Sequence, residues 1–341
     1  MNNFKEIIPA WPEVMTESEW LSARDRGLGG SDAGIVIGIN KYKSPYSLWA
    51  EKRGMVERQE AGDAAKWGHR LERVTAEAYA EDYNKAVVAW PVILVSEDHP
   101  FMFANIDFLI VEPTEQFPAG KVTDWKTVEV PEGVLSILEV KTSGIASPGT
   151  ISQWFPDSIP QSYMLQTIHY GVVTGITSIV FAALLPPHGL QVRYMDWDQE
   201  LADNLVIAEQ MFWHLVQTGE APPVDGSDAT EATQQSLYPR HEPGVGYEGG
   251  ATLMELWQSF SEAKVKAELA DQERKALRAQ IVQLVGSAEY ATVDGQTILT
   301  YKASKDVESI DTDRLKREAP EIFDRFKKTR PGSRVLRGSS R

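Results

Sequence analysis

Two apolar, β-branched runs carry carboxylates where a buried strand has no ordinary use for them, and nothing else in the chain constrains its fold as much. Residues 101–111 (FMFANIDFLIV) and 134–142 (VLSILEVKT) each read as a buried strand, a short apolar run without helical period. Asp107 sits in the first run, and Glu139 and Lys141 sit in the second. An ionised carboxylate at the end of a core strand is costly unless it is paired, hydrogen-bonded or bound to a metal, so this trio marks a site. A divalent cation resolves the cost. Mg²⁺ takes one or two carboxylates and completes its shell with water and substrate phosphate oxygens, and Asp107 with Glu139 supplies that set. The strand period of two places Glu139 and Lys141 on one face, where the ammonium can position or deprotonate an attacking water.

With 341 residues and 42% hydrophobic content, the chain can bury a full core and still carry an accessory region. It contains no cysteine, which excludes disulfides, thiolate zinc sites and cysteine nucleophiles and fits a reducing cytoplasm. The opening MNNFKEIIPAWPEV lacks a charged segment followed by an apolar one, and no apolar run reaches the length of about 18 residues that a membrane span needs. The expectation is a soluble, cytoplasmic protein with no membrane partner. A net charge of −15 speaks against non-specific coating of nucleic acid, although a local groove can still be basic. Residues 325–341 hold seven Lys or Arg and no acid, a positive tail on a negative body.

Thr16-x-x-Glu19 is a capping-box pattern that opens a short helix, with Gly27 as its stop. Arg24, Arg26, Gly29, Gly30 and Ser31 follow, and their glycines allow backbone N–H groups to approach a ligand while Ser31 caps the next helix. A turn and cap explain this stretch; a phosphate cradle explains it as well. Ser44-Pro45 starts another helix that Gly54 ends. The spacing predicts a longer helix over 64–83 with Trp67, Leu71, Val74 and Ala78 as its apolar stripe and Glu72 at the stripe's edge. Strands at 86–95 and 101–111, joined by a turn at 97–100, form a hairpin, and 112–133 reads as a surface insertion. A helix over 162–170 brings Tyr163 and Gln166 to one side. Strands at 178–184 and 191–195 and a helix at 199–218 complete an α+β unit, a central mixed sheet flanked by helices, its strands taken as an antiparallel meander.

The composition then changes. Residues 221–250 are rich in Pro and Gly and read as a linker, so the domains expected are 1–220, the linker 221–250, and 251–341. The last begins with a long helix whose Leu253, Leu256, Trp257, Phe260, Ala263, Ala267, Leu277, Ile281 and Leu284 recur near helical spacing, an arm that can pack on the core or on another subunit. Asp294-Gly295 turns a hairpin of type I′.

Several of these blocks together resemble the YqaJ-type viral recombinase family, the lambda-exonuclease-like phage alkaline exonucleases of the PD-(D/E)XK nuclease fold. The carrying residues are Trp20, Arg24 and Gly-Gly-Ser31-Asp32; Trp67-Gly68-x-x-Leu71-Glu72; Asp107; Glu139-x-Lys141; and Tyr163-Met-x-Gln166. The resemblance covers most of residues 16–218. It departs from the family in the long interval between Asp107 and Glu139 and in the looser match after Gly250. It implies Mg²⁺, with Mn²⁺ able to substitute, held by Asp107, Glu139, the Val140 carbonyl and Glu72. Lys141 would orient the water, Gln166 would hold Lys141 or the phosphate in line, and Tyr163 would contact the substrate strand. Ser31 with Arg24 or Arg26 would capture a 5′ phosphate. The activity implied is 5′→3′ digestion of linear double-stranded DNA to leave 3′ tails for recombination. The partners implied are DNA ends, a single-strand annealing protein and further copies of the chain, with a ring-shaped trimer as one form, in the cytoplasm of a bacterial host and with a phage or prophage origin. The alternatives are a site-specific or repair endonuclease on the same fold and a DNA-end binding module that does not cut, against which an intact Asp, Glu and Lys set speaks.

Overall fold

Local signals set most of the helices. In the computed structural model, which describes residues 3–58, 62–143, 148–329, 332 and 334–338, strand β1 (Phe4–Pro9) is followed by helix α1 (Glu17–Arg24). Thr16 and Glu19 cap α1 reciprocally: the Glu19 carboxylate accepts from the Thr16 N–H at 2.8 Å, and the Thr16 hydroxyl accepts from the Glu19 N–H at 3.3 Å. The short β2 (Leu28–Gly29) runs into α2 (Gly30–Val36), whose N-cap is Gly29, so Ser31 lies inside the first turn and is not the cap expected of it. Ser44 caps α3 (Pro45–Lys52), with Pro45 at the helix start and Gly54 just beyond its end at φ +66°.

Helix α4 (Asp63–Asp82) has the expected length but a different phase. Its buried positions are Thr75, Ala76, Tyr79 and Ala80, whereas Trp67 and Val74 are exposed. The reason is the surface it covers: Ala76, Tyr79 and Ala80 pack on one face of the main sheet. Glu72, three and four residues before Thr75 and Ala76, is thereby on the face that meets the sheet rather than at its rim.

The predicted strands of the central hairpin each break in two. The first becomes β3 (Ala86–Ala89) and β4 (Val92–Ser96), and the second becomes β5 (Met102–Ala104) and β6 (Phe108–Val111). Pro91 has no N–H to give a ladder, and at Asn105–Asp107 the chain crosses between sheets, so the hairpin bends as a whole. Residues 112–133 are more than a surface insertion. They bury Phe117 and form β7 (Lys121–Asp124), which pairs in parallel with β3 at the sheet edge.

Strand β8 (Val134–Thr142) lies at the centre, followed by α5 (Gln161–Thr174), β9 (Ile179–Leu184), β10 (Leu190–Met195) and α6 (Gln199–Thr218). The main sheet has the order β10-β9-β8-β6-β3-β7, and a smaller one has the order β1-β4-β5-β2. The meander expected is interrupted because α5 forms a crossover between β8 and β9, which makes that pair parallel. The class is the mixed α+β one expected. Helix α7 (Asp228–Leu237) packs on α3, with the Thr230 hydroxyl 2.7 Å from that of Ser44. The chain divides into two compact units, the first over Met1–Pro239 and the second over Arg240–Arg341. Among the described residues no helix is long and apolar enough to cross a membrane.

The second unit begins with α8 (Ala251–Val285), a helix of 35 residues with none of them buried. Strands β11 (Tyr290–Val293) and β12 (Gln296–Thr300) follow, joined by Asp294 and Gly295 at φ +50° and +79°, the positive pair a type I′ turn requires. Short helices α9 (Thr312–Glu318) and α10 (Pro320–Phe326) come last, and part of the basic tail lies outside the described residues.

A fully buried pair fastens α5 to α6. His169 Nδ1 lies 2.9 Å from both Glu209 oxygens, and Nε2 lies 3.0 Å from the Phe103 carbonyl, so each ring nitrogen faces an acceptor and the doubly protonated ring suits both. Burial pulls the imidazole pKa down, but the Glu209 charge and hydrogen bond, the Phe103 carbonyl and the Asp32 charge outweigh it and raise it. A raised folded pKa means stabilisation that is complete below the ordinary histidine value of about 6.5 and lost as pH rises through the folded value. The urea midpoint should therefore fall as pH rises above the ordinary histidine value of about 6.5. Glu209→Gln should cost about 3–5 kcal/mol below that value and flatten the dependence. A variant with the wild-type slope would exclude the pair as its source.

Candidate active site

Strand β8 alternates as a buried strand must. Ile137 and Glu139 face the core under α5, and Leu138 and Val140 face α4. The period of two does bring Lys141 beside Glu139: its Nζ donates to Glu139 Oε1 at 2.5 Å. Gln166, on the second turn of α5, donates to the same oxygen at 2.7 Å and lies 3.0 Å from the Tyr170 hydroxyl. Gln166 thus holds the carboxylate, and reaches Lys141 only through it. The other oxygen, Glu139 Oε2, is buried without a hydrogen-bond partner among the described residues.

Asp107 occupies the break before β6. Its Oδ2 accepts from the Val140 N–H at 3.0 Å, in line with the strand pair Phe108 and Leu138. In a strand the N–H and C=O of one residue point to the same edge, so the Val140 carbonyl is also on the Asp107 side. Burial raises the pKa of Asp107 against the pull of Lys141 and the Val140 N–H. Burial and then the Asp107 charge push Glu139 up to about 8, with Lys141 opposing. Lys141 is itself desolvated, but Glu139 and Asp107 outweigh that and keep it cationic. Two buried carboxyls share one lysine here, so with both ionised the site would hold more negative charge than the lysine balances.

Glu72 reaches this group from α4, on the other face of the sheet. Burial and the Asp107 charge raise its pKa, while His69, whose Nδ1 is 3.0 Å from Glu72 Oε2, lowers it. Among the described residues no three His, Asp or Glu side chains close on a single ion. The donors nonetheless fit a hard cation that needs few protein ligands: an orphaned carboxylate oxygen on Glu139, Asp107 beside it, and a carbonyl on the shared edge.

Tyr163 lies under Lys141, with the ammonium 5.0 Å from its ring centroid, and its ring meets Trp154 at 5.8 Å. It also lines a cleft of about 650 Å³ bounded by Asn40, Lys41 and Tyr42 on one side and by Pro160, Gln161 and Ser162 on the other.

The glycine-rich turn is built by packing. A Cβ on Gly30 would stand 2.5 Å from the Tyr170 ring and 2.8 Å from the Gln166 carbonyl, and one on Gly29 would stand 2.8 Å from the Arg24 guanidinium. Arg24 donates to the Ser31 hydroxyl at 3.0 Å and stacks on Trp20 at 4.6 Å, whereas Arg26 is exposed and its side chain makes no hydrogen bond or ion pair among the described residues. Beneath the turn a buried ion pair joins Asp32 to Lys52 at 3.1 Å, and Lys52 also donates to the carbonyls of Arg24 and Gly27. Burial raises the Asp32 pKa, but Lys52 and Arg24 overcome it and hold the carboxyl below its usual range.

Sequence reasoning passed over His69, Lys52 and Tyr170, and it named Asp32 without its ion-pair partner. His69 is signalled by its i,i+3 spacing to Glu72, whereas the partners of Lys52 and Tyr170 come from distant elements that no spacing announces.

The sequence profile of the YqaJ-like viral recombinase domain matches residues 19–177. The uncharacterized protein YqaJ of Bacillus subtilis is 32% identical over 321 residues, 92% of this chain and 92% of that protein. The chain belongs to the YqaJ-like viral recombinase family. The segment that matches the YqaJ-like domain contains every candidate residue from Arg24 to Gln166. A stretch of 75 residues is also 33% identical to protein D345L of African swine fever virus, 22% of this chain and 21% of that one. Among solved structures, the alkaline exonuclease of Laribacter hongkongensis is similar at 15% identity, over 65% of this chain and 98% of that one, with a TM-score of 0.46.

Proposed function

We propose that this YqaJ-family chain is a Mg²⁺-dependent exonuclease that digests linear double-stranded DNA in the 5′→3′ direction and leaves 3′ tails for homologous recombination. The observation that carries the reading is the buried Oε2 of Glu139, unpartnered among the described residues, beside Asp107 and Lys141. Asp107, Glu139 and the Val140 carbonyl would hold the ion, with Glu72 serving a second position, and Mn²⁺ would serve in its place. When bound, the ion supplies polarisation of the scissile phosphate and charge neutralisation at the leaving oxygen.

The chain's own residues do the rest. Lys141, held beside Glu139, would donate to the attacking water or to a phosphate oxygen. Gln166 fixes the rotamer of Glu139. Tyr163 lets a nucleotide strand in the adjoining cleft pass close to Lys141. Double-stranded DNA ends, a single-strand annealing protein and further copies of the chain are its proposed partners, in the cytoplasm of a bacterial host. Digestion of linear duplex with Mg²⁺ and its loss in EDTA test the reading; nicking of closed circular DNA would replace it with an endonuclease.

Arg24 and Ser31 would receive the 5′ phosphate, since a guanidinium and a hydroxyl already 3.0 Å apart can share one anion. A charge-assisted bond of about 1.5–3 kcal/mol corresponds to tenfold or more in end recognition. Arg24→Ala should digest 5′-phosphorylated and 5′-hydroxyl duplexes equally slowly, whereas the wild type prefers the phosphate and Arg26→Ala keeps that preference. An Arg24→Ala enzyme that still discriminates would reject the pocket.

A further inference from the structure

Helix α8 repeats with a period of 3.5 residues rather than 3.6. Leu253, Leu256 and Phe260 begin a strict alternation of three and four, and Leu277, Ile281 and Leu284 end it. Ala263, Ala267 and Ala270 fill the middle, and Arg274 is the one charged position in the register. The six large apolar residues are all exposed, and at about 1.5 Å per residue the helix is roughly 52 Å long. A sustained heptad seam of this kind is covered by a second helix.

We propose that the occupant is α8 of a second copy of this chain, packed antiparallel with the two helices centred between Glu268 and Leu269. The argument is charge complementarity at the positions flanking the seam. In that register Lys264 faces Asp271 of the partner subunit and Lys266 faces Glu273 of the partner subunit, each twice by symmetry. Lys266 and Glu273 have no ion pair within the chain among the described residues, whereas Asp271 already pairs with Arg274 and Lys275. The central layers set Ala267 against Ala270, so the helices can approach closely, and the large residues meet toward the ends. A parallel pair in register would also match charges, Lys266 with Asp271 and Glu273 with Arg278. It would, however, stack Arg274 on Arg274 in the seam, whereas the antiparallel register sets Arg274 against Ala263. That like-charge layer decides the orientation.

The absence of cysteine makes the test clean. In the full chain, Phe260→Cys and Leu277→Cys are prepared separately, and oxidation is followed by gel under non-reducing conditions against the 38.0 kDa single chain. The antiparallel register brings 260 of one copy to 277 of the other, so the mixture should give a cross-linked dimer and neither variant alone should. Self-linking of Phe260→Cys would overturn the orientation, and no cross-link in any sample would mean that another surface or partner covers the helix, overturning the proposal. As a second readout that leaves the seam intact, Lys266→Glu should weaken self-association on the order of tenfold in sedimentation. Adding Glu273→Lys should restore it, whereas in the parallel register the double exchange would weaken it further.

Discussion

Lys141→Ala is expected to lower the rate of duplex digestion at least a hundredfold, with folding and DNA-end binding near wild type. Removing a single preorganised donor from a transition state typically costs about 10²–10³ in rate. Lys141 is such a donor here: its ammonium is held by Glu139 and stacked on Tyr163, and the carboxylates around it keep it protonated. The variant leaves Glu139 with only Gln166, so the carboxyl is expected to keep its proton more tightly rather than unfold the strand. Circular dichroism and gel-shift binding separate folding and affinity from chemistry. Digestion within tenfold of wild type would remove Lys141 from the mechanism.

The second large effect belongs to the metal. Glu139→Gln and Asp107→Asn should each abolish the rise in melting temperature that Mg²⁺ gives the wild type, because an amide removes the charge that holds a hard cation. The sign of the pH dependence follows from the raised carboxyl. Metal-free Glu139, pushed up to about 8, binds a proton below that pH, and the ion must displace it, so activation by Mg²⁺ should weaken as pH falls below about 8 and level off above it. Unchanged Mg²⁺ binding by calorimetry in both variants would refute the assignment.

The sequence by itself determined whatever depends on neighbours a few residues apart. The alternation along residues 134–142 put Glu139 and Lys141 on one face, Thr16 and Ser44 announced helix starts, and Asp294-Gly295 announced a tight hairpin. It also held the heptads of α8, which are a property of spacing alone. Tertiary structure decided the rest. Which face of α4 is buried depends on the sheet it meets, and that turned Glu72 inward and left Trp67 outside. Arg24 rather than Arg26 faces Ser31 because Lys52, from another helix, ties down the turn between them. Gln166 grips Glu139 rather than Lys141 because Gly30 and Tyr170 set how closely α2 and α5 approach, and the two strands of the central hairpin pass between sheets, one at Pro91, which has no N–H for a ladder, and the other at 105–107. Periodicity fixes the direction of a side chain relative to its own backbone, but what it meets is set by elements far away in the chain, whose packing is chosen by the burial of the whole core.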